Sequence, residues 1–196
     1  VREMQRHVAT YPEDARSRIQ LASAYRIAGD SASALKEVLV ATALSPKKQE
    51  FWIEAGVIAW DLGDTRAVQE YFARAFTLSP HVQSIAAYAA AGQLAVGDTV
   101  GANKILEDSY GTTTVDSDIL AVAYYRTKNW PALIRLLKLR TALPEAQIQT
   151  WFTLAGVYYE AGDRVNAVAI LEIIAARFPE AASDARAAIS QIQRGQ

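Results

Sequence analysis

The strongest constraint on this chain is a Gly-Asp pair that recurs every 34 residues. Lys128-Asn129 fills one slot of the series, 31 residues after the preceding pair, and the spacing of 34 then resumes. The pairs themselves begin at Gly29, Gly63, Gly97 and Gly162. A fixed period of about 20 to 50 residues indicates a repeat architecture, in which similar short units stack on one another.

Each unit has the pattern of two amphipathic helices joined at the Gly-Asp pair. In the first unit, Gly29 can adopt the left-handed conformation that ends a helix, because it has no side chain to clash. Asp30 then supplies an acceptor for the free N–H groups at the start of the next helix, and Pro46 stops that helix. Apolar residues recur at the three- and four-residue steps of a helix face, at Ile19, Leu21, Ala22 and Tyr25 and again at Ala34, Leu35, Val38, Ala41 and Leu44.

Three units resemble the tetratricopeptide repeat in register, so the chain is similar to that family from about Ala15 to Pro179. Unit positions are counted so that the glycine of Gly-Asp is position 15. The matching residues are Leu21, Ala22, Tyr25, Ala34, Ala41 and Pro46; then Trp52, Gly56, Phe72, Ala75 and Pro80; then Trp151, Leu154, Ala155, Tyr158, Ala167 and Pro179.

The resemblance implies an all-α fold, a right-handed superhelical α-solenoid of helix-turn-helix repeats. About twelve helices and no sheet are expected, and the alanines at positions 8, 20 and 27 are expected to be buried where helices cross. We assign one solenoid domain over 1–196. It consists of a lone N-terminal helix (1–14), five repeats (15–48, 49–82, 83–113, 114–147 and 148–180) and a C-terminal helix (181–196).

The third repeat is irregular. Gly92 and Gly101 fall inside its two helices, where each glycine costs about 1 kcal/mol relative to alanine. The expected proline is replaced by the segment 110–114, and the spacing shortens. The segment predicts a local bend; a hinge and a glycosylated threonine cluster at Thr112–Thr114 are the alternatives.

Composition excludes several classes of function. The chain has 196 residues, 51% of them hydrophobic, a net charge of −1 and no cysteine. Nucleic-acid binding requires a clustered cationic face, which is absent. Without cysteine there is no disulfide, thiolate zinc site or cysteine nucleophile. We expect no membrane span and see no signal peptide, although a chain that begins at Val1 can be a piece of a longer protein.

The sequence contains no pattern that is typical of catalysis. His7 and His81 have no partner at metal-ligand spacing, and no phosphate loop or calcium loop is present. We therefore expect no catalytic residue, metal or cofactor, and a chain that is not an enzyme.

The resemblance places a binding surface on the first helices, which line the concave face in this family. The family's clamp for acidic chaperone tails is absent, because Ile19, Ser23, Glu54 and Ser84 occupy its slots. The groove is instead predicted to be apolar and aromatic, and to bind a protein or peptide. Its residues are Ile19, Ser23, Arg26, Ile53, Val57, Trp60, Tyr88, Leu94, Val122, Tyr125, Phe152 and Tyr159.

The two ends suggest an alternative function, a self-assembling subunit. In the repeat register the first helix lacks a preceding partner and the last helix lacks a following one, so copies could join head to tail into a helical filament. The predicted contact residues are Met4, Val8, Ala185, Ala188, Ile189 and Ile192. Composition is typical of bacteria, and the ending FPEAASDARAAISQIQ resembles repeat tails of bacterial envelope proteins, which favours the periplasm or cell surface over the cytoplasm.

Overall fold

The computed structural model describes residues 1–195, which form α-helices and one short 3-10 turn, with no strand. They divide into two compact units, Val1–Thr113 and a second that begins at Thr114. The division falls where the fourth repeat was predicted to begin, while the assignment of the chain to one domain stays a prediction. Gln196, the end of the predicted C-terminal segment, lies outside the described residues.

Seven helices form the first unit, a lone helix followed by three pairs. They are α1 (Arg2–Thr10), α2 (Ala15–Ile27), α3 (Ser31–Leu44), α4 (Gln49–Asp61), α5 (Thr65–Leu78), α6 (Gln83–Ala95) and α7 (Thr99–Tyr110).

Five helices form the described part of the second unit, two pairs followed by a last helix. They are α8 (Asp118–Arg126), α9 (Trp130–Thr141), α10 (Ile148–Glu160), α11 (Arg164–Arg177) and α12 (Ala182–Arg194), the last preceded by the 3-10 turn Pro179–Ala181. The all-α fold of paired helices is thus confirmed for the described residues.

The Gly-Asp turns have the predicted geometry. Gly29 has a φ of 80°, and the Ser33 N–H donates to Asp30 Oδ1 at 2.9 Å. In the variant turn Lys128 takes the place of glycine with a φ of 55°, the only positive φ of a non-glycine residue in the described chain. The turn therefore keeps its shape without glycine, at the cost of placing a side chain in the left-handed region.

Small residues occupy the helix crossings, as the repeat register predicts. The side chains of Ala22, Ala34, Ala41, Ala155 and Ala167 are all buried. Gly56 stands where the first repeat has Ala22, and a Cβ built on it would lie 2.3 Å from Cε1 of Phe72. The glycine thus makes room for an aromatic ring that is itself completely buried.

Gly92 lowers the stability of its helix relative to alanine, but it has a role in packing. A Cβ on this residue would lie 3.1 Å from Cα of Gln69 on α5. The glycine therefore allows the backbones of α5 and α6 to approach more closely than alanine would allow.

The start of the second unit is extended where other repeats are helical. Helix α8 has 9 residues and α10 has 13. The missing turn is replaced by a segment in which Val115 is buried. Arg140 of α9 holds this segment, because its Nε donates to Asp116 at 2.6 Å and its Nη2 donates to Asp118 at 2.7 Å.

Candidate functional site

The second unit contains a concave cavity of about 770 Å³, which we call the α8–α10 groove. The shortened α8 forms one wall and α10 the other, with side chains of α9 at the base. Two exposed aromatic residues stand on the walls, Tyr125 at 56% and Tyr159 at 36% exposure. The apolar part of the lining is completed by Ala121, Val122, Leu133, Leu137 and Val157.

Polar residues of α10 and of the segment before it line the remaining surface of the α8–α10 groove. They carry two amide groups, of Gln147 and Gln149, and two hydroxyl groups, of Thr150 and Thr153. The sequence analysis placed Val122, Tyr125 and Tyr159 in the site but missed these residues, since it took only a fixed set of positions from the family.

Charges in the groove are balanced by charges of the opposite sign. Burial disfavours the charged form of Arg140, but its hydrogen bonds to Asp116 and Asp118 outweigh this and raise the pKa of Arg140 above its ordinary value. Arg126 and Glu160, which carry opposite charges, complete the lining. The groove therefore presents apolar and neutral polar surface with little net charge.

A second, smaller cavity lies on the other side of α10, and we call it the α10–α12 groove. Its volume is about 280 Å³, and Phe152, a predicted site residue, lies in its lining. Gly156 and Tyr159 line both grooves. The two cavities therefore meet along one face of α10.

The predicted residues of the first unit form a less open surface. Ile19, Ile53, Val57 and Tyr88 are partly buried. Ser23 and Arg26 line a cavity of about 450 Å³ between α2 and α4. Three charged side chains take part in its lining, since Arg26 Nε donates to Asp61 at 2.7 Å and Glu54 lies beside them.

Two predicted groove residues are buried in the first unit and offer almost no surface to a partner. Trp60 is 7% exposed and its ring lies 6.1 Å from that of Phe72. Leu94 is 3% exposed. Both side chains thus belong to the buried core of the described residues, and a role for them in binding a partner stays a prediction.

The residues predicted for self-assembly are also largely covered within their own units. Val8 and Ala185 are buried. Met4 is partly buried. Ala188, Ile189 and Ile192 pack against the core cluster around Trp151 and Ile174. Helix α12 thus uses its apolar face to cover α10 and α11.

Two classes of feature are absent from the described residues. No helix there combines the length and apolar character that a membrane span requires. No group of three or more His, Cys, Asp or Glu side chains in residues 1–195 is placed to hold a metal ion.

Comparison with known families confirms the resemblance drawn from the repeat register. Residues 49–82 match the model of the tetratricopeptide repeat. They coincide with the second of the predicted repeats and include Trp52, Gly56 and Phe72. Residues 49–82 thus match one tetratricopeptide repeat directly, and the register and pairing of the other described helices are similar to it.

Solved structures show the same fold at low sequence identity. A thermophilic TPR protein of Thermus thermophilus, TTC0263, is 15% identical with a TM-score of 0.59, over 91% of this chain and 98% of that one. YrrB, described as a TPR protein with an unusual peptide-binding site, is 12% identical with a TM-score of 0.53, over 86% of this chain and 89% of that one.

A longer relative in structure is a chain of the APC/C hetero-tetramer Cut9-Hcn1. It is 16% identical with a TM-score of 0.63 over 98% of this chain, which spans only 38% of its length. No curated protein sequence matches the chain. At these identities the comparisons establish the fold, and the function has to be argued from the grooves.

Proposed function

We propose that this protein is a non-enzymatic scaffold that binds a peptide segment of a partner protein in the α8–α10 groove. The fold suggests protein–protein interaction, since YrrB, which shares it, is described as having a peptide-binding site. The observation that carries the proposal is a cavity of about 770 Å³ whose walls expose Tyr125, Val122 and Tyr159.

The chemistry of the groove supports a peptide rather than a small charged ligand. Exposed aromatic rings give a large contact area at low entropic cost and are enriched at protein interfaces. The neutral amide and hydroxyl groups beside them can pair with peptide N–H and C=O groups. The opposing charges of Arg140, Asp116 and Asp118 already satisfy one another.

The test is loss of a bound partner on substitution of exposed groove residues. The chain is immobilised, its partners are captured and identified, and their affinities are measured with wild type and with Tyr125→Ala. Truncation of an exposed aromatic anchor should weaken binding by about 1–2 kcal/mol or more. The matched control is Leu139→Ala, since Leu139 is an exposed residue of α9 outside the groove.

The outcome that would contradict the proposal is equal affinity of every partner for wild type and Tyr125→Ala. Because Tyr125 also packs edge-on to Trp130 with ring centroids 5.7 Å apart, the melting temperature of each variant is measured beside its affinity.

A role in the bacterial envelope is supported only by the resemblance of the C-terminal sequence, and cell fractionation of the native protein would test it.

A further inference from the structure

Gly156 is a glycine for which the fold of the described chain gives no reason. The turn glycines have positive φ, and Gly56, Gly92 and Gly101 each have a neighbouring atom that would crowd a Cβ. Gly156 lies in the middle of α10 with no positive φ, and nothing lies within 4 Å of the position its Cβ would take. A mid-helix glycine lowers helix stability relative to alanine, and no internal contact offsets that loss.

The position of Gly156 indicates a role for its missing side chain. The residue lines both the α8–α10 groove and the α10–α12 groove, so a side chain is missing where the two grooves share their lining. Glycine is the residue that permits another backbone to approach closely. Tyr159, which also lines both grooves, lies about one turn further along the same helix and forms a side wall at this point.

From this arrangement we propose that the backbone of the bound segment crosses α10 over Gly156, so that its side chains enter the grooves on either side. This inference rests on the proposed function, and it adds the crossing point and the chemistry of the occupant. The occupant is an extended, uncharged segment of another protein at the point of crossing.

The charges of the site favour an uncharged occupant. Arg140 is bound to Asp116 and Asp118, and the other charged residues of the lining, Arg126 and Glu160, are of opposite sign. A charged ligand side chain covered at the crossing would lose its hydration, which is unfavourable, and a lining that carries charges of both signs favours neither a cationic nor an anionic ligand. Neutral side chains of the ligand match the apolar and neutral polar residues of the lining.

An extended conformation follows from the polar groups beside the crossing. The backbone N–H and C=O groups of an extended segment lack internal partners and must be satisfied from outside. The Gln149 amide and the Thr150 hydroxyl lie in the lining and can supply such partners. A helical segment satisfies its own backbone, and its diameter of about 10–12 Å would keep its axis well away from the backbone of Gly156.

The experiment selects peptides on the full chain and then restores the missing side chain. A displayed library of random dodecapeptides is selected on wild type, and the affinity of enriched peptides is measured for Gly156→Ala, Gly156→Leu and Ala169→Leu. Ala169→Leu is the control, because Ala169 is exposed on α11 and lines neither groove. Gly156→Ala should melt at or above the wild-type temperature, since its Cβ meets open space, and the melting temperature of Gly156→Leu is measured beside its affinity.

The expected result is a graded loss of affinity, small for Gly156→Ala and about tenfold or more for Gly156→Leu, with no loss for Ala169→Leu. The enriched peptides should be uncharged over their central residues. If they lose affinity for Tyr125→Ala but not for Gly156→Leu, the crossing is wrong and the scaffold proposal stands. If no peptide is enriched, or none depends on Tyr125, both are overturned.

Discussion

Replacement of Gly56 by alanine should destabilise the first unit, although alanine is the better helix former. The Cβ of alanine would lie 2.3 Å from Cε1 and 2.4 Å from Cδ1 of Phe72. Because Phe72 is completely buried, its ring cannot swing away into solvent. Overpacking of this kind costs about 1–3 kcal/mol, which exceeds or cancels the gain of about 1 kcal/mol in helix propensity.

The same pair of positions in the other repeats shows how the clash should be relieved. Position 8 and the residue 16 further on are Ala22 and Val38 in the first repeat, and Ala155 and Leu171 in the fifth. The first of these pairs lies in one core cluster and the second in another. Only the second repeat combines glycine with phenylalanine. Its crossing therefore has a smaller residue on the first helix and a larger residue on the second helix than the other two repeats have.

The double variant Gly56→Ala with Phe72→Leu therefore restores the common arrangement. Phe72→Leu alone leaves a cavity and should cost about 1–3 kcal/mol, whereas the double variant should be more stable than the sum of the two changes predicts. We expect a favourable coupling energy of about 1 kcal/mol or more. The measurement is urea unfolding of wild type, both single variants and the double variant, with circular dichroism as the signal.

Gly156, which is exposed, supplies the matched control for this double-mutant comparison. Gly156→Ala adds the same methyl group to the same kind of helix, but into open space, and should stabilise by about 1 kcal/mol. Equal shifts for Gly56→Ala and Gly156→Ala, or strict additivity of the double variant, would refute the argument from steric contact.

Two further predictions concern the turns. Lys128→Gly should stabilise the second unit by about 0.5–1 kcal/mol, because relief of left-handed strain outweighs the greater freedom of glycine in the unfolded chain; thermal unfolding beside Lys128→Ala, which should give no such gain, is the check. Hydrogen bonds from the Asn166 side chain and N–H lower the pKa of Asp163 below 3.8, the value expected in the unfolded chain. The native state then binds fewer protons, so this stabilisation is present above about pH 4 and is lost as pH falls through the lowered pKa. Acid titration of Asp163→Asn, which keeps an acceptor but does not titrate, should show a smaller loss of stability, and an unchanged acid profile would contradict it.

Much of the fold could be predicted from the sequence because the constraints are local and periodic. The Gly-Asp spacing fixes where helices end and begin, and the small residues at the crossings fix which faces pack. Ala22 and Ala167 are buried as the register requires. Each of these positions is determined by backbone geometry within one repeat, so a single repeat is enough to recognise it.

The candidate site was predicted less well, because its shape depends on departures from the repeat. Trp60 occupies a family groove position but is buried, since the neighbouring Gly56 lets Phe72 pack deeply beside it. The shortened spacing before the fourth repeat was visible in the sequence. Its consequence, a short α8 held by Arg140, required the positions of Asp116 and Asp118 in space. Gly156 could have been noticed as a glycine in the middle of a predicted helix.

The last helix bears on whether the chain assembles head to tail. Completing a repeat on α12 requires a second helix from another molecule to cross it at position 8, where small residues stand in every repeat: Ala22, Gly56, Ala90, Ala121 and Ala155. In α12 that position is Ile189, which packs against its own unit. A crossing helix would meet a branched side chain, and the resulting overpacking is unfavourable. We therefore expect the protein to remain monomeric, with an unchanged scattering mass as its concentration is raised, and we expect Ile189→Ala to weaken folding rather than to abolish an assembly. A mass that grows with concentration in the wild type and stays monomeric in a folded Ile189→Lys variant would show instead that the terminal helices join.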